Sequence, residues 1–161
     1  MKKIFVSSII ALLLLNVLVH PTLAAKQAGT RELLLKGSVQ ATETQQVVFP
    51  LNHVSLTGSG NATQLGKFTY SMQAELHIPT LTSPATATFV AADGSSLFAE
   101  GSGQGTPTGT PGIISIVETL TITGGTGRFA DASGDITVQR LVNRATLTSS
   151  GTIKGVIVLP Q

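Results

Sequence analysis

Alternation of apolar and polar residues is the dominant pattern along this chain, and it is clearest over residues 67–78. Phe68, Tyr70 and Met72 begin a row of apolar side chains, and polar residues occupy the positions between them. A period of two is the spacing of a strand with one face buried and the other in water. Pro79 ends the pattern, because proline has no amide to donate to a neighbouring strand. The pattern therefore predicts a strand over residues 67–78.

Weaker alternation elsewhere predicts further strands. They cover residues 33–42, 47–51, 54–60, 85–91, 96–104, 113–123, 135–142 and 145–159. Asp93-Gly94 predicts a tight hairpin turn, and the Pro- and Gly-rich residues 105–112 predict a loop. Short connections favour antiparallel neighbours, and closing the sheet removes its exposed edges. We predict an all-β fold, an antiparallel β-barrel of about eight strands, with a two-sheet β-sandwich as the alternative.

The N-terminus has the parts of an export signal. Lys2 and Lys3 give it a positive start, residues 4–19 are mostly apolar, and Thr22-Leu23-Ala24 has small residues where a signal peptidase cleaves. The apolar stretch is shorter than the ~20 residues of a bilayer-spanning helix. We predict cleavage after Ala24 and a secreted or periplasmic protein with no membrane span after cleavage.

Cleavage would change the charge of the protein. The whole chain has ten Lys and Arg against eight Asp and Glu, and Lys2 and Lys3 belong to the predicted signal. The remaining charges balance, which leaves no electrostatic footprint for nucleic acid. The chain has no Cys, so no disulfide stabilises it. The predicted organisation is a signal peptide over residues 1–24, a flexible leader over 25–31 and one barrel domain over 32–161.

Two glycine-rich segments carry a resemblance to a known group of barrels. Residues 123–129 read Thr-Gly-Gly-Thr-Gly-Arg-Phe, and residues 58–69 read Gly-Ser-Gly-Asn-Ala-Thr-Gln-Leu-Gly-Lys-Phe-Thr. In this order they resemble the barrel shared by allene oxide cyclases, plant dirigent proteins and exported bacterial proteins. The likeness covers most of residues 37–158 and implies an interior that holds a small apolar ligand. No catalytic residue of the plant proteins can be matched to a position here. The short signal and the glycine-rich sequence indicate a bacterial protein.

The second glycine-rich segment predicts a sharp corner between two strands. Gly124, Gly125 and Gly127 allow the positive φ that such a turn needs. We expect Phe129 to fold back and plug the end of the barrel, and Arg128 to reach across that end. An anion-binding loop is the alternative, but the helix that follows a phosphate loop is missing.

Two charged residues interrupt faces that are otherwise apolar. Glu118 falls in the row of Ile116 and Leu120, and Arg140 falls in the row of Val138. Pairing residue 123 with residue 135 across the corner would place Glu118 opposite Arg140. A buried charge without a partner is costly, whereas a paired one is tolerated. We therefore predict an ion pair between the two side chains.

The residues of these inward faces are the candidates for ligand contact. They are Phe68, Tyr70, Phe89, Glu118 and Arg140, with Glu100 as a weaker candidate. A purely structural tie is the alternative for the Glu118–Arg140 pair, since no histidine or second carboxylate is seen to converge on it. Neither His53 nor His77 has metal-ligand spacing, and we expect no metal and no cofactor.

Three functions stay open from the sequence. The preferred one is a non-enzymatic exported barrel that binds a small apolar molecule. The second is an isomerase or cyclase of the allene oxide cyclase type, which the resemblance implies. The third is a structural envelope or matrix protein that forms homo-oligomers through its sheet edges.

Overall fold

Residues 29–161 form a closed antiparallel barrel of eight strands in the computed structural model. The predicted signal peptide and the leader up to residue 28 lie outside the described residues. The strands are β1 (Thr30–Val48), β2 (Leu51–Ala62), β3 (Gly66–His77), β4 (Thr82–Ala91), β5 (Ser96–Pro107), β6 (Ile113–Gly125), β7 (Ser133–Asn143) and β8 (Thr148–Pro160). Each strand pairs with its neighbours in the sequence, and β8 pairs with β1. The predicted barrel is confirmed, and the closed sheet excludes the sandwich.

The first strand differs most from the prediction. β1 begins at Thr30, two residues before the expected start of the domain, and continues without a break to Val48. The separate strand predicted over residues 47–51 is therefore wrong. Phe49 and Pro50 form a turn there, and Leu51 begins β2. The proline ends the pairing because it has no amide hydrogen to donate.

Inward-facing side chains fill the barrel with an apolar core. In β3, Phe68, Tyr70 and Met72 are at most 3% exposed, as the alternation predicts. Their polar neighbours lie on the outer wall. Among residues 29–161 no helix is long and apolar enough to cross a membrane.

One end of the barrel is plugged by the predicted corner. A one-turn 3₁₀ helix (Gly127–Phe129) follows β6, and the Phe129 ring is 1% exposed. Gly127 has a φ of +60°, but Gly125 does not have the positive φ predicted for it. Gly125 is instead a place of close approach, since an added Cβ would lie 2.9 Å from the Cβ of Phe129.

Arg128 reaches across this plugged end, as predicted. Its Nη2 donates to the Gln64 carbonyl oxygen at 2.8 Å, and its Nη1 lies 3.3 Å from Asp93 Oδ2. The guanidinium also lies 4.9 Å from the centre of the Phe129 ring. Arg128 thus ties the corner to the turns after β2 and β4.

The opposite end, called here the far end, is formed by the turns at residues 49–50, 78–81, 108–112 and 144–147. No turn folds a large aromatic ring into this end in the way that Phe129 is folded into the plugged end. Half-buried aliphatic side chains lie there instead. Leu81 and Ile114 both approach Gly105, whose added Cβ would be 3.2 Å from Leu81 Cβ and 3.6 Å from Ile114 Cγ2.

Candidate functional site

The predicted ligand residues fall into an aromatic group and a charged group. Phe68, Tyr70 and Phe89 pack on one another, with ring centres 5.7 to 6.1 Å apart. All three belong to the buried core, and their contact with a ligand stays a prediction. Glu100 does not join either group, because its side chain is exposed on the outer wall.

The predicted ion pair between Glu118 and Arg140 is confirmed. Arg140 Nε donates to Glu118 Oε1 at 2.8 Å, and Nη2 lies 2.7 Å from the same oxygen. The predicted register is two residues off, because Arg140 pairs with Ile116 and Glu118 pairs with Val138. The two side chains are therefore diagonal neighbours on one face, and the long arginine spans the offset.

A second carboxylate, Glu43, completes the charged group. It lies on β1, faces inward with 4% exposure, and contacts Arg140 Nη1. Arg140 Nη1 also donates to Ser149 Oγ at 3.2 Å. Sequence reasoning missed Glu43, although it continues the inward row of Val39 and Ala41. The predicted strand ended at residue 42, one position too early to include it.

Two amide side chains extend this group toward the far end. Gln45 Nε2 donates to Glu43 Oε2 at 3.1 Å, and Asn52 Nδ2 donates to Gln45 Oε1 at 3.2 Å. Asn52 is buried and Gln45 is exposed. A continuous set of polar contacts, which we call the polar network, thus runs from the barrel interior to solvent. Its members are Glu118, Arg140, Ser149, Glu43, Gln45 and Asn52.

Three buried polar atoms at or near the network have no hydrogen-bond partner within the protein. They are Asn52 Oδ1, Tyr70 Oη and Glu118 Oε2. Buried polar atoms are nearly always hydrogen-bonded, so an unpartnered one marks a place for water or a ligand atom. Tyr70 also links the aromatic group to the charged group, because the charges of Arg140, Glu118 and Glu43 act on the pKa of its phenol.

The charges in this group are unequal, with one guanidinium facing two carboxylates. Burial raises the pKa of Glu118 above its ordinary value, and the attraction of Arg140 only partly opposes that rise. The pKa of Arg140 also rises, since the pull of both carboxylates outweighs its own burial. Arg140 therefore stays charged, and the carboxyl of Glu118 keeps a proton to a higher pH than an ordinary glutamate does.

Tyr70 supplies a neutral donor beside these charges. Burial raises the pKa of its phenol to about 12, so the hydroxyl keeps its proton at neutral pH. A protonated Glu118 would offer a second donor through Oε2, and Asn52 Oδ1 offers an acceptor. Among residues 29–161, no group of three or more acidic or histidine side chains is placed to hold a metal ion.

The strand paired with Glu118 packs closely against its side chain. Gly103 pairs with Glu118 across the β5–β6 ladder, and Gly105 pairs with Ile116. Both glycines lack a side chain on the inner face. An alanine methyl at Gly103 would already lie 3.4 Å from Glu118 Cγ and 3.0 Å from Ser83 Oγ. Glycine at this position therefore allows β5 to pack closely against Glu118.

The outer wall has a separate depression of about 1260 Å³, whose mostly apolar lining also includes Ser38, Ser59 and Thr152. No carboxylate lines it, so it offers hydrogen-bonding groups without an acid–base pair.

Comparisons with known proteins identify the fold. No protein-family model matches the chain, and no curated protein matches it. Four chains of known structure match, among them a pterocarpan synthase dirigent protein. That protein has 13% sequence identity and a TM-score of 0.56, and the match covers 80% of this chain and 85% of that one. The chain therefore has a dirigent-like barrel fold.

Removing the Arg140 guanidinium should leave the buried carboxylates of Glu43 and Glu118 without a positive partner. We expect Arg140→Met to lower the free energy of unfolding at neutral pH by about 3–5 kcal/mol, the usual loss when one partner of a buried pair is removed. Urea denaturation measures it. Adding Glu43→Gln and Glu118→Gln should recover most of the loss. The exposed control Arg144→Met should change stability by no more than about 0.5 kcal/mol. An equal effect of both arginine variants would contradict the buried charge cluster.

The raised pKa of Glu118 predicts how stability depends on pH. The folded state keeps the proton of the Glu118 carboxyl to a higher pH than the unfolded state does. The stability that this protonation contributes is therefore fully present below the ordinary pKa of 4.5. That contribution is lost as the pH rises through the raised value. We expect the wild type to lose stability relative to Glu118→Gln over this interval, as measured by denaturation at a series of pH values. A wild type that instead gains stability relative to Glu118→Gln as the pH rises would mean that the pKa of Glu118 is lowered.

Proposed function

We propose that this protein is a non-catalytic barrel that binds a small, mainly apolar molecule carrying one or two oxygen atoms. The site lies in the half of the barrel nearer the far end, where the polar network meets the aromatic core. The observation that carries the proposal is the set of unpartnered buried atoms on Asn52, Tyr70 and Glu118. A hydroxyl or carbonyl group of a ligand would complete their hydrogen bonds.

The surroundings of these atoms support a mostly apolar ligand. Gly103 and Gly105 add no side chain to the strand paired with Glu118, and the half-buried aliphatic side chains of Leu81 and Ile114 lie against Gly105. Leu81 and Ile114 thus offer aliphatic contacts to a molecule that enters from the far end, where Gln45 of the polar network is also exposed. Apolar walls with a few placed polar groups are the usual composition of small-molecule sites.

Binding without catalysis is favoured by what surrounds Glu118. Acid–base catalysis needs a proton donor and a group that accepts a proton, and the second carboxylate of the cluster, Glu43, is already bound by Arg140 and Gln45. His53 contacts Glu75 on the outer wall, and His77 contacts Thr80 in a turn, so neither faces Glu118. The matched structure is that of a synthase by name, and at 13% identity it supports the fold alone.

Binding can be tested with Tyr70→Phe, which removes only the unpartnered hydroxyl. We use 1-naphthol as the probe, since it combines an apolar ring system with one hydroxyl, and follow its fluorescence on titration. Losing one hydrogen bond should weaken binding roughly 2- to 12-fold, equal to about 0.5–1.5 kcal/mol. The stability of the free protein should stay equal or rise, because the hydroxyl has no partner to lose.

Thr86→Val is the matched control, since it removes a hydroxyl from the outer wall. Its affinity for 1-naphthol should equal that of the wild type. The proposal fails if the wild type does not bind the probe, or if Tyr70→Phe destabilises the free protein as strongly as a lost internal hydrogen bond.

We further propose that the protein works outside the cytoplasm, in the periplasm or the medium of a bacterial host. The support is the positive, apolar and small-residue sequence of the first 24 residues. The intact mass of the protein isolated from the envelope or medium of its host should correspond to a chain beginning at Ala25. A mass that includes Lys2 and Lys3 would contradict cleavage.

A further inference from the structure

β1 extends beyond the strand that flanks it on one side. Its pairing with β8 ends at Thr42, opposite Thr148, but its pairing with β2 continues to Val48, opposite Leu51. The amide of Glu43 still donates to the carbonyl of Leu147 at 2.8 Å. Residues 44–48, called here the open edge, have a neighbouring strand only on the side of β2.

The backbone of the open edge has hydrogen-bonding groups directed away from the barrel. Successive residues of an antiparallel strand direct their amide and carbonyl groups to alternate neighbours. Since the amide of Glu43 is directed toward the β8 side, those of Gln45 and Val47 lie along the same edge. An exposed row of such groups is a template for another strand.

The side chains around the open edge make it suited to association. Val47, Val48 and Phe49 are 61%, 60% and 76% exposed, and no charged residue occurs between residues 44 and 49. Edge strands of monomeric proteins are usually protected by lysine, proline or a bulge. The open edge contains none of these, and Pro50 comes only after its last residue.

We propose that the open edge pairs in antiparallel fashion with the open edge of a second copy of this chain, around a two-fold axis at Gln46. This register places Gln45 opposite the partner's Val47 and uses all five free positions of each copy. The outward amides and carbonyls of Gln45 and Val47 then form four hydrogen bonds across the axis. On the N-terminal side of residue 44, the amide of Glu43 already bonds to Leu147 in the turn at residues 144–147, so a longer pairing is blocked.

A second copy suits this edge better than a charged partner does. The segment itself is uncharged, so two identical edges do not repel each other. His53, which pairs with Gln46 on β2, lies 3.6 Å from the Glu75 carboxylate on β3. Five residues a side fall short of the ~800 Å² that each partner buries in a standard interface, so the dimer should be weak and concentration-dependent.

Charge reversal at the axis tests the pairing directly, because residue 46 would face its own copy. Sedimentation velocity of the mature wild-type chain, from about 10 μM to about 1 mM, should show a monomer that converts to a dimer. Gln46→Lys alone and Gln46→Glu alone should each raise the concentration of half-dimerisation at least about tenfold, since like charges would meet. An equimolar mixture of the two variants should restore the dimer.

Gln40→Lys is the matched control, with the same substitution on the same outward face of β1 but between two paired strands. It should dimerise like the wild type. Thermal unfolding of each variant, recorded in parallel, establishes that the fold is intact. A wild type that stays monomeric over the whole range, a dimer that persists in Gln46→Lys, or a mixture that fails to restore it would each overturn the proposal.

Discussion

Closure of the sheet is the constraint on which the rest of this structure depends. With β8 joined to β1, every second residue of the eight strands points into the barrel interior, away from solvent. Apolar side chains gain from this placement, whereas charged ones must find partners inside. Glu43, Glu118 and Arg140 are all held on inward positions, and each is at most 5% exposed. Their mutual contacts follow from the closed topology as much as from their own attraction.

The two ends of the barrel are covered in different ways. At the plugged end, a corner after β6 folds Phe129 inward and Arg128 ties the neighbouring turns together. At the far end, the polar network and half-buried aliphatic side chains take the place of a plug. The plugged end is suited to stability, and the half of the barrel nearer the far end has the unpartnered groups that recognition needs. This asymmetry is our reason for placing function at the far end.

Alternation was enough to predict the strands with one polar face, such as β3, and to mark Glu118 and Arg140 as residues that needed partners. The register between β6 and β7 was not predictable, because the corner between them includes residues that the pattern cannot assign to either strand. Glu43 was missed since Thr44, Gln45 and Gln46 read as the polar end of a strand, although β1 continues through them. The contact between Glu43 and Arg140 joins residues 97 positions apart across β8, and only the closed barrel brings them together.

Tyr70 is the single tyrosine of a chain without tryptophan. Its ring stacks on Phe89, and the charges of the polar network act on the pKa of its hydroxyl. Ultraviolet absorption and intrinsic emission near the tyrosine band therefore come from one chromophore at one position in the interior. The molecule has a built-in optical reporter, and any event that alters the protonation or solvation of its interior should be visible without an added label.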